Sequence, residues 1–132
     1  KNAFYDQIIA AQYIPQYAEA IKAAIPAKMR ADGGHPSKRT FQALRIDVNH
    51  EFEVLYDLLE KLPQVMNPGG RIVILTFHSG EDRLVKKSFK TFTKEGLYSD
   101  YSKDVIRPSA EECAINGRAR STKMRWAIKN EE

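Results

Sequence analysis

Five residues that follow a short apolar run have the side chains for chemistry: His78, Ser79, Glu81, Asp82 and Arg83. The run itself, Ile72-Val73-Ile74-Leu75, has Gly69-Gly70 before it and this polar stretch after it. A β-branched run bounded in this way predicts a strand buried on both faces, of the kind found in parallel sheets covered by helices. Ligands of open α/β sheets sit beyond the carboxyl ends of their strands. His78, Ser79 and Arg83 are therefore candidates for one wall of an active-site cleft. The competing use of the same stretch is a strand-to-helix loop in which Ser79 caps the helix.

Anion binding is the second chemistry on offer. Lys38 and Arg39 fall in the first turn of a predicted helix, beside the positive end of its dipole, where cations are unfavourable. A phosphate at that helix N-terminus gives them a purpose. Arg118, Arg120, Lys123 and Arg125 form a second cluster across a turn into a strand. Arginine suits phosphate because its planar fork donates in pairs. Pairing with Glu111 and Glu112 is the alternative fate of these cations.

Other chemistries find less support. His35, His50 and His78 are scattered, one cysteine is present, and neither HExxH nor CxxC occurs, so no metal centre is indicated. Cys113, within a short predicted helix, reads as a small buried hydrophobe. There is no GxGxxG and no Walker loop. Gly33-Gly34 and Gly69-Gly70 read as turns.

The elements that must position these residues follow from periodicity. Ala3 to Ile14 reads as a helix; Pro15 suits the first turn of a second, ending near Ile25-Pro26. Met29 to Gly34 reads as a basic loop. From about Pro36, the apolar residues Phe41, Leu44, Val48, Phe52, Leu55, Leu59 and Leu62 recur every three or four positions, which predicts one long amphipathic helix. Asn67-Pro68-Gly69-Gly70 then turns the chain into the strand. Leu84, Val85, Ser88, Phe89 and Phe92 mark a core-facing helix that stops near Gly96. Leu97 to Lys103 has no clear period, and a short strand is expected at Asp104-Val105-Ile106. Ser109-Ala110-Glu111-Glu112 matches a capping box and opens a short helix. Asn116-Gly117 is a turn. Met124, Trp126 and Ile128 then alternate with Lys123, Arg125, Ala127 and Lys129, a strand with one apolar face. The order is that of an α/β fold with helices packed on a sheet.

Composition agrees. A chain of 132 residues, 42% hydrophobic and 29% charged, supports one domain with a real core. A single cysteine excludes an internal disulfide framework and suits a reducing cytoplasm. No run approaches the length of a membrane span, and no signal-peptide pattern opens the chain. The first residue is Lys1, so the sequence is expected to be part of a longer polypeptide. The net charge of +4 is unevenly spread. Lys28–Ile46 has five bases against one acid, Asp47–Gly70 has five acids against one base, and Asn116–Lys129 has five bases and no acid. Two basic segments around an acidic one point to a surface that faces a polyanion.

Three blocks carry a resemblance. Gly33-Gly34-His35-Pro36-Ser37-Lys38-Arg39-Thr40-Phe41-Gln42-Ala43-Leu44-Arg45-Ile46 is the first. Pro68-Gly69-Gly70-Arg71 with Phe77-His78-Ser79 and Glu81-Asp82-Arg83 is the second. The third runs Pro108-Ser109, Glu111-Glu112, Asn116, Arg118, Arg120-Ser121, Lys123 and Arg125. Together they resemble the signature of the bacterial 16S rRNA cytosine-N4 methyltransferases, the MraW/RsmH family, over about residues 16–129. The resemblance implies a Rossmann-like methyltransferase sheet carrying a helical insertion, with S-adenosylmethionine as methyl donor and a cytidine of 16S rRNA, in the small ribosomal subunit, as substrate. Residues 1–34 then correspond to the tail of the helical insertion, and 35–132 to the second half of the methyltransferase domain.

Departures from the family pattern are Thr76 for Ser, Gly80 for Leu and Gly117 for Pro. The glycine-rich cofactor loop, the ribose-binding acid and the motif that holds the target amine have no counterpart in this sequence. The resemblance therefore implies no cofactor-binding residue here and no activity from this chain alone. Within that frame the basic clusters give the expected RNA contacts, Lys38, Arg39, Arg118, Arg120 and Lys123, and the place of His78, Ser79 and Arg83 at a strand's carboxyl end gives the expected cleft wall. Alternatives are a complete non-catalytic RNA-binding module, or a homodimer formed through an open sheet edge.

Overall fold

The computed structural model describes residues 3–27 and 35–131, with side chains from Tyr13 onward. The chain divides into two compact units, Lys1–His50 and Glu51–Glu132. The basic loop expected at Met29–Gly34 lies outside the described residues.

The first unit holds α1 (Ala3–Ala24) and α2 (Lys38–Val48). Two helices meeting at Pro15 are the sequence expectation; α1 instead runs through Pro15 without interruption. An interior proline removes one hydrogen bond and crowds the preceding turn, but the remaining bonds of a 22-residue helix carry it across. Ahead of α2, His35 Nδ1 lies 2.7 Å from Ser37 Oγ, and its Nε2 lies 3.4 Å from Glu19 Oε1 on α1. The His35 hydrogen bond, and then the charge of Lys22, hold the Glu19 carboxyl below its usual range.

The long helix expected from Pro36 to Leu62 is also different: it breaks. Asn49 caps α2, its N–H donating to the Arg45 carbonyl, and His50 takes a left-handed backbone with φ 51°. A non-glycine residue rarely sits there, and it ends the helical ladder. The apolar spacing passes straight through this break, so periodicity alone does not reveal it.

The second unit begins with α3 (Glu51–Val65), followed by β1 (Arg71–Thr76), α4 (Ser79–Lys94), β2 (Tyr98–Tyr101), α5 (Ala110–Ile115), a 3-10 turn (Gly117–Ser121) and β3 (Lys123–Lys129). Gly96, at φ 79°, ends α4, and Leu97 N–H returns to the Phe92 carbonyl at 2.9 Å. That glycine stop matches expectation. The three strands are ordered β1-β3-β2 and both pairings are antiparallel. The parallel, doubly buried strand expected over Ile72–Leu75 is therefore corrected. Among the described residues β1 is an edge strand, and its outer face exposes Val73 and Leu75. An apolar run records that both faces are greasy; it does not record what covers them.

The other two strands carry corrections as well. Strand β2 occupies the stretch without a readable period, held by Tyr98 opposite Lys129 and Tyr101 opposite Ala127 with a bulge between. The strand expected at Asp104–Ile106 reduces to a single bridge between Ile106 and Met124. In β3 the buried face is the one bearing Arg125 and Ala127, while Met124, Trp126 and Ile128 lie on the outer face with Val73 and Leu75. Helix α4 packs on the inner face and α3 packs on α4.

Between the layers, Leu59, Val85, Phe89, Phe92, Tyr98 and Ala127 form the core, joined by Leu55, Leu62, Ile72 and Ile74. Tyr98 meets Phe89 and Phe92 edge-on, with ring centroids 5.7 and 6.0 Å away. Its hydroxyl is buried without a hydrogen-bond partner, and burial pushes its pKa up to about 12. Unfolded, Tyr98 ionises near pH 10; folded, it keeps its proton until about pH 12. Stability therefore falls as pH rises through that window. Tyr98→Phe removes an orphaned hydroxyl, so stability is expected to hold or rise by up to about 1 kcal/mol. The alkaline loss should also flatten. Urea denaturation of both proteins at neutral pH and near pH 11 checks both statements.

Candidate nucleic-acid interface

The loop after β1 is organised by helix capping. His78 has an extended backbone and is the N-cap of α4, its Nδ1 accepting the Glu81 N–H at 3.4 Å. Glu81 reaches back: its Oε2 accepts the Phe77 N–H at 3.0 Å, and its Oε1 lies 3.4 Å from His78 Nε2. This reciprocal pair satisfies two backbone donors at the start of α4 and places a carboxylate beside the positive end of its dipole. Ser79 is therefore the first helical residue and not the cap. Ser79 and Arg83 are exposed, while His78 is mostly buried.

Glu51, at the start of α3, joins them. Donor atoms of Glu51, His78 and Glu81 lie within 4.8 Å of one another. With Nδ1 accepting the Glu81 N–H, a neutral His78 ring carries its proton on Nε2. That nitrogen is buried and lies 3.4 Å from Glu81 Oε1 without making a hydrogen bond, and the group reads as a capping cluster. Phe52 packs edge-on to His78 with ring centroids 5.9 Å apart. A Cβ on Gly80 would come within 2.8 Å of Phe52 Cζ and 3.1 Å of His78 Nδ1. The glycine at this position, where the resemblance calls for leucine, makes room for those two rings. Gly80→Leu is expected to destabilise the unit by about 1–3 kcal/mol through overpacking; a midpoint unchanged in chemical denaturation would refute the close fit.

Asp82 and Arg125 are the strongest polar contact at this end of the sheet. Arg125 Nε donates to Asp82 Oδ1 at 2.7 Å and its Nη2 to Oδ2 at 3.2 Å. Its Nη1 reaches the carbonyls of Ser102 and Lys103 at 3.4 and 3.3 Å. Arg125 is 4% exposed. It joins the first turn of α4, β3 and the segment after β2, so it is removed from the cationic cluster in which its sequence neighbours place it.

The remaining cations of that cluster stay outside. Asn116 Oδ1 accepts the Arg118 N–H at 3.2 Å, opening the 3-10 turn, and Ala119 is buried beneath it. Arg107, which sequence reasoning passes over, donates from Nη2 to the Arg120 carbonyl at 2.8 Å and braces the turn. Arg118 and Arg120 are exposed. Among the described residues neither makes an ion pair, with Glu111, Glu112 or any other acid. Ser109 does cap α5 as expected, accepting the Glu112 N–H at 3.0 Å.

Antiparallel pairing then decides where these cations sit. Lys123, the first residue of β3, lies opposite Thr76, the last residue of β1. The basic turn and the His78 loop therefore share one end of the sheet. Lys38 and Arg39 belong to the first unit, exposed in the first turn of α2, which contains no acid; Ser37 makes no side-chain cap there.

Comparison with known proteins places this sequence in a family. The model of the MraW methylase family matches residues 8–130. The chain belongs to that family. Among MraW-family relatives, ribosomal RNA small subunit methyltransferase H 1 of Agathobacter rectalis is 76% identical over 94 residues, covering 71% of this chain and 27% of the relative. Ribosomal RNA small subunit methyltransferase H 2 of Alkaliphilus metalliredigens is 62% identical over 106 residues, covering 80% of this chain and 30% of the relative. Ribosomal RNA small subunit methyltransferase H of Clostridioides difficile is 43% identical over 129 residues, covering 86% and 42%. The chain thus spans between a quarter and a half of the length of these MraW-family relatives. Among the described residues, no helix is long and apolar enough to cross a membrane.

Proposed function

We propose that this chain is part of an S-adenosylmethionine-dependent methyltransferase acting on N4 of a cytidine in 16S rRNA. It supplies RNA contacts through Lys38, Arg39, Arg118, Arg120 and Lys123, and one cleft wall through His78, Ser79 and Arg83. The observation that carries this reading is the pairing of Thr76 with Lys123, which sets cations without an ion pair among the described residues beside the carboxyl end of β1. Residues 1–34 are read as the tail of a helical insertion and 35–132 as the second half of a Rossmann-like domain. The free edge of β1, the exposed Val73 and Leu75 beside it, and the relatives' greater length support a sheet that continues in the rest of the polypeptide.

The cofactor does not fit the residues present. A nucleoside needs a free acid for its ribose hydroxyls beyond a strand's carboxyl end. The carboxylates in the loop after β1 are engaged, Glu81 by the Phe77 N–H and Asp82 by Arg125. We therefore assign S-adenosylmethionine to the rest of the relatives' length. Methyl transfer depends on holding donor and acceptor in line, so the 132-residue chain alone is inactive.

Titration of this chain against single-stranded RNA at several salt concentrations tests the reading. Binding that weakens steeply with salt is expected; the absence of binding, or binding indifferent to salt, contradicts it. The free β1 edge also favours a second reading, a non-catalytic RNA-binding or dimerising module whose edge pairs with a second copy. Sedimentation equilibrium separates a monomer from that dimer.

A further inference from the structure

Just past the carboxyl end of β1 stands a large aromatic side chain that the core does not claim. Phe77 is 57% exposed. It lies one residue past the last strand pair, Thr76 with Lys123, and so beyond the sheet face formed by Val73 and Leu75. Its backbone is nonetheless anchored. Its N–H is held by Glu81 Oε2 at 3.0 Å, and the next residue caps α4. Across the strand pair stands the 3-10 turn with Arg118 and Arg120, braced by Arg107.

An exposed ring on an anchored backbone, at the same end of the sheet as cations that make no ion pair among the described residues, suits a particular partner. Single-stranded nucleic acid offers a base face to an aromatic side chain and flanking phosphates to arginines. Helical RNA offers the phosphates but keeps its base faces stacked. The nearby Glu81 carboxylate accepts the Phe77 N–H, lies 3.4 Å from His78 Nε2, and is mostly buried, so it does not face the phosphates as an open acid.

We infer that Phe77 is a stacking platform for an unpaired base of the RNA held by the Arg118–Lys123 turn, so that this site takes a single strand. The inference rests on the RNA-binding reading above and adds the strandedness of the partner and the residue that senses it.

Fluorescence anisotropy of the 132-residue chain with a labelled oligonucleotide of about ten nucleotides tests it, single-stranded and as a duplex at the same salt. Phe77→Ala is expected to weaken single-strand binding roughly tenfold and leave duplex binding nearly unchanged. Phe77→Tyr should bind as the unaltered chain does. Phe77→Leu, which keeps apolar bulk without a π-face, should behave like Phe77→Ala. Full affinity in Phe77→Leu, or equal losses on both strand forms, overturns the inference while RNA binding stands. If the unaltered chain binds no RNA, the broader reading fails and this one with it.

Discussion

Asp82→Ala is expected to lower the stability of the Glu51–Glu132 unit by about 3–5 kcal/mol. The substitution leaves the Arg125 guanidinium, 4% exposed, without its carboxylate partner. Two carbonyls, from Ser102 and Lys103, remain near it but carry no charge to balance it. Domain stabilities are about 5–15 kcal/mol, so the variant loses a large fraction of its stability and should unfold at a clearly lower urea concentration. Replacing both partners, Asp82→Leu with Arg125→Met, removes the stranded charge and should cost less than Asp82→Ala alone. Urea denaturation of the three proteins measures the ordering. A loss below about 1 kcal/mol for Asp82→Ala would mean the pair is screened like a surface bridge, and the burial described here would be wrong.

Arg118→Ala with Arg120→Ala should have the larger effect on binding and almost none on folding. Both side chains are exposed and without ion pairs among the described residues, and Arg107 braces the turn through a backbone carbonyl that alanine retains. If each arginine neutralises one phosphate, removing two lowers the salt slope by about 1.4 for a single strand. Affinity at low salt should fall roughly tenfold or more, while the denaturation midpoint stays in place. An unchanged slope would remove these arginines from the interface. Loss of slope together with loss of stability would instead make them structural.

Features encoded by neighbours in sequence were legible. The glycine stop of α4 at Gly96, the Ser109 cap of α5 and the strand nature of Lys123–Lys129 each depend on residues within a few positions. The resemblance carried by three blocks likewise agrees with membership of the MraW family. Local patterning also misled in places. The apolar spacing from Phe41 to Leu62 passes over the helix break at His50, because one left-handed residue leaves no trace in spacing. Tyr98–Tyr101 forms a strand because Tyr98 finds a pocket between Phe89 and Phe92, a contact no local pattern carries.

The sequence by itself determined where the apolar segments, the Ser109 cap, the Gly96 stop and the basic clusters lie along the chain. Tertiary structure alone decided that β1 is an edge strand paired antiparallel to β3, and that Arg125 turns inward to Asp82 while Arg118 and Arg120 turn outward. It also decided that the basic turn stands beside the His78 loop. The physical reason is range. Caps, turns and periodicity are set by contacts across one or two turns of chain. The partner of a buried charge and the order of strands are set by which distant segments exclude water together.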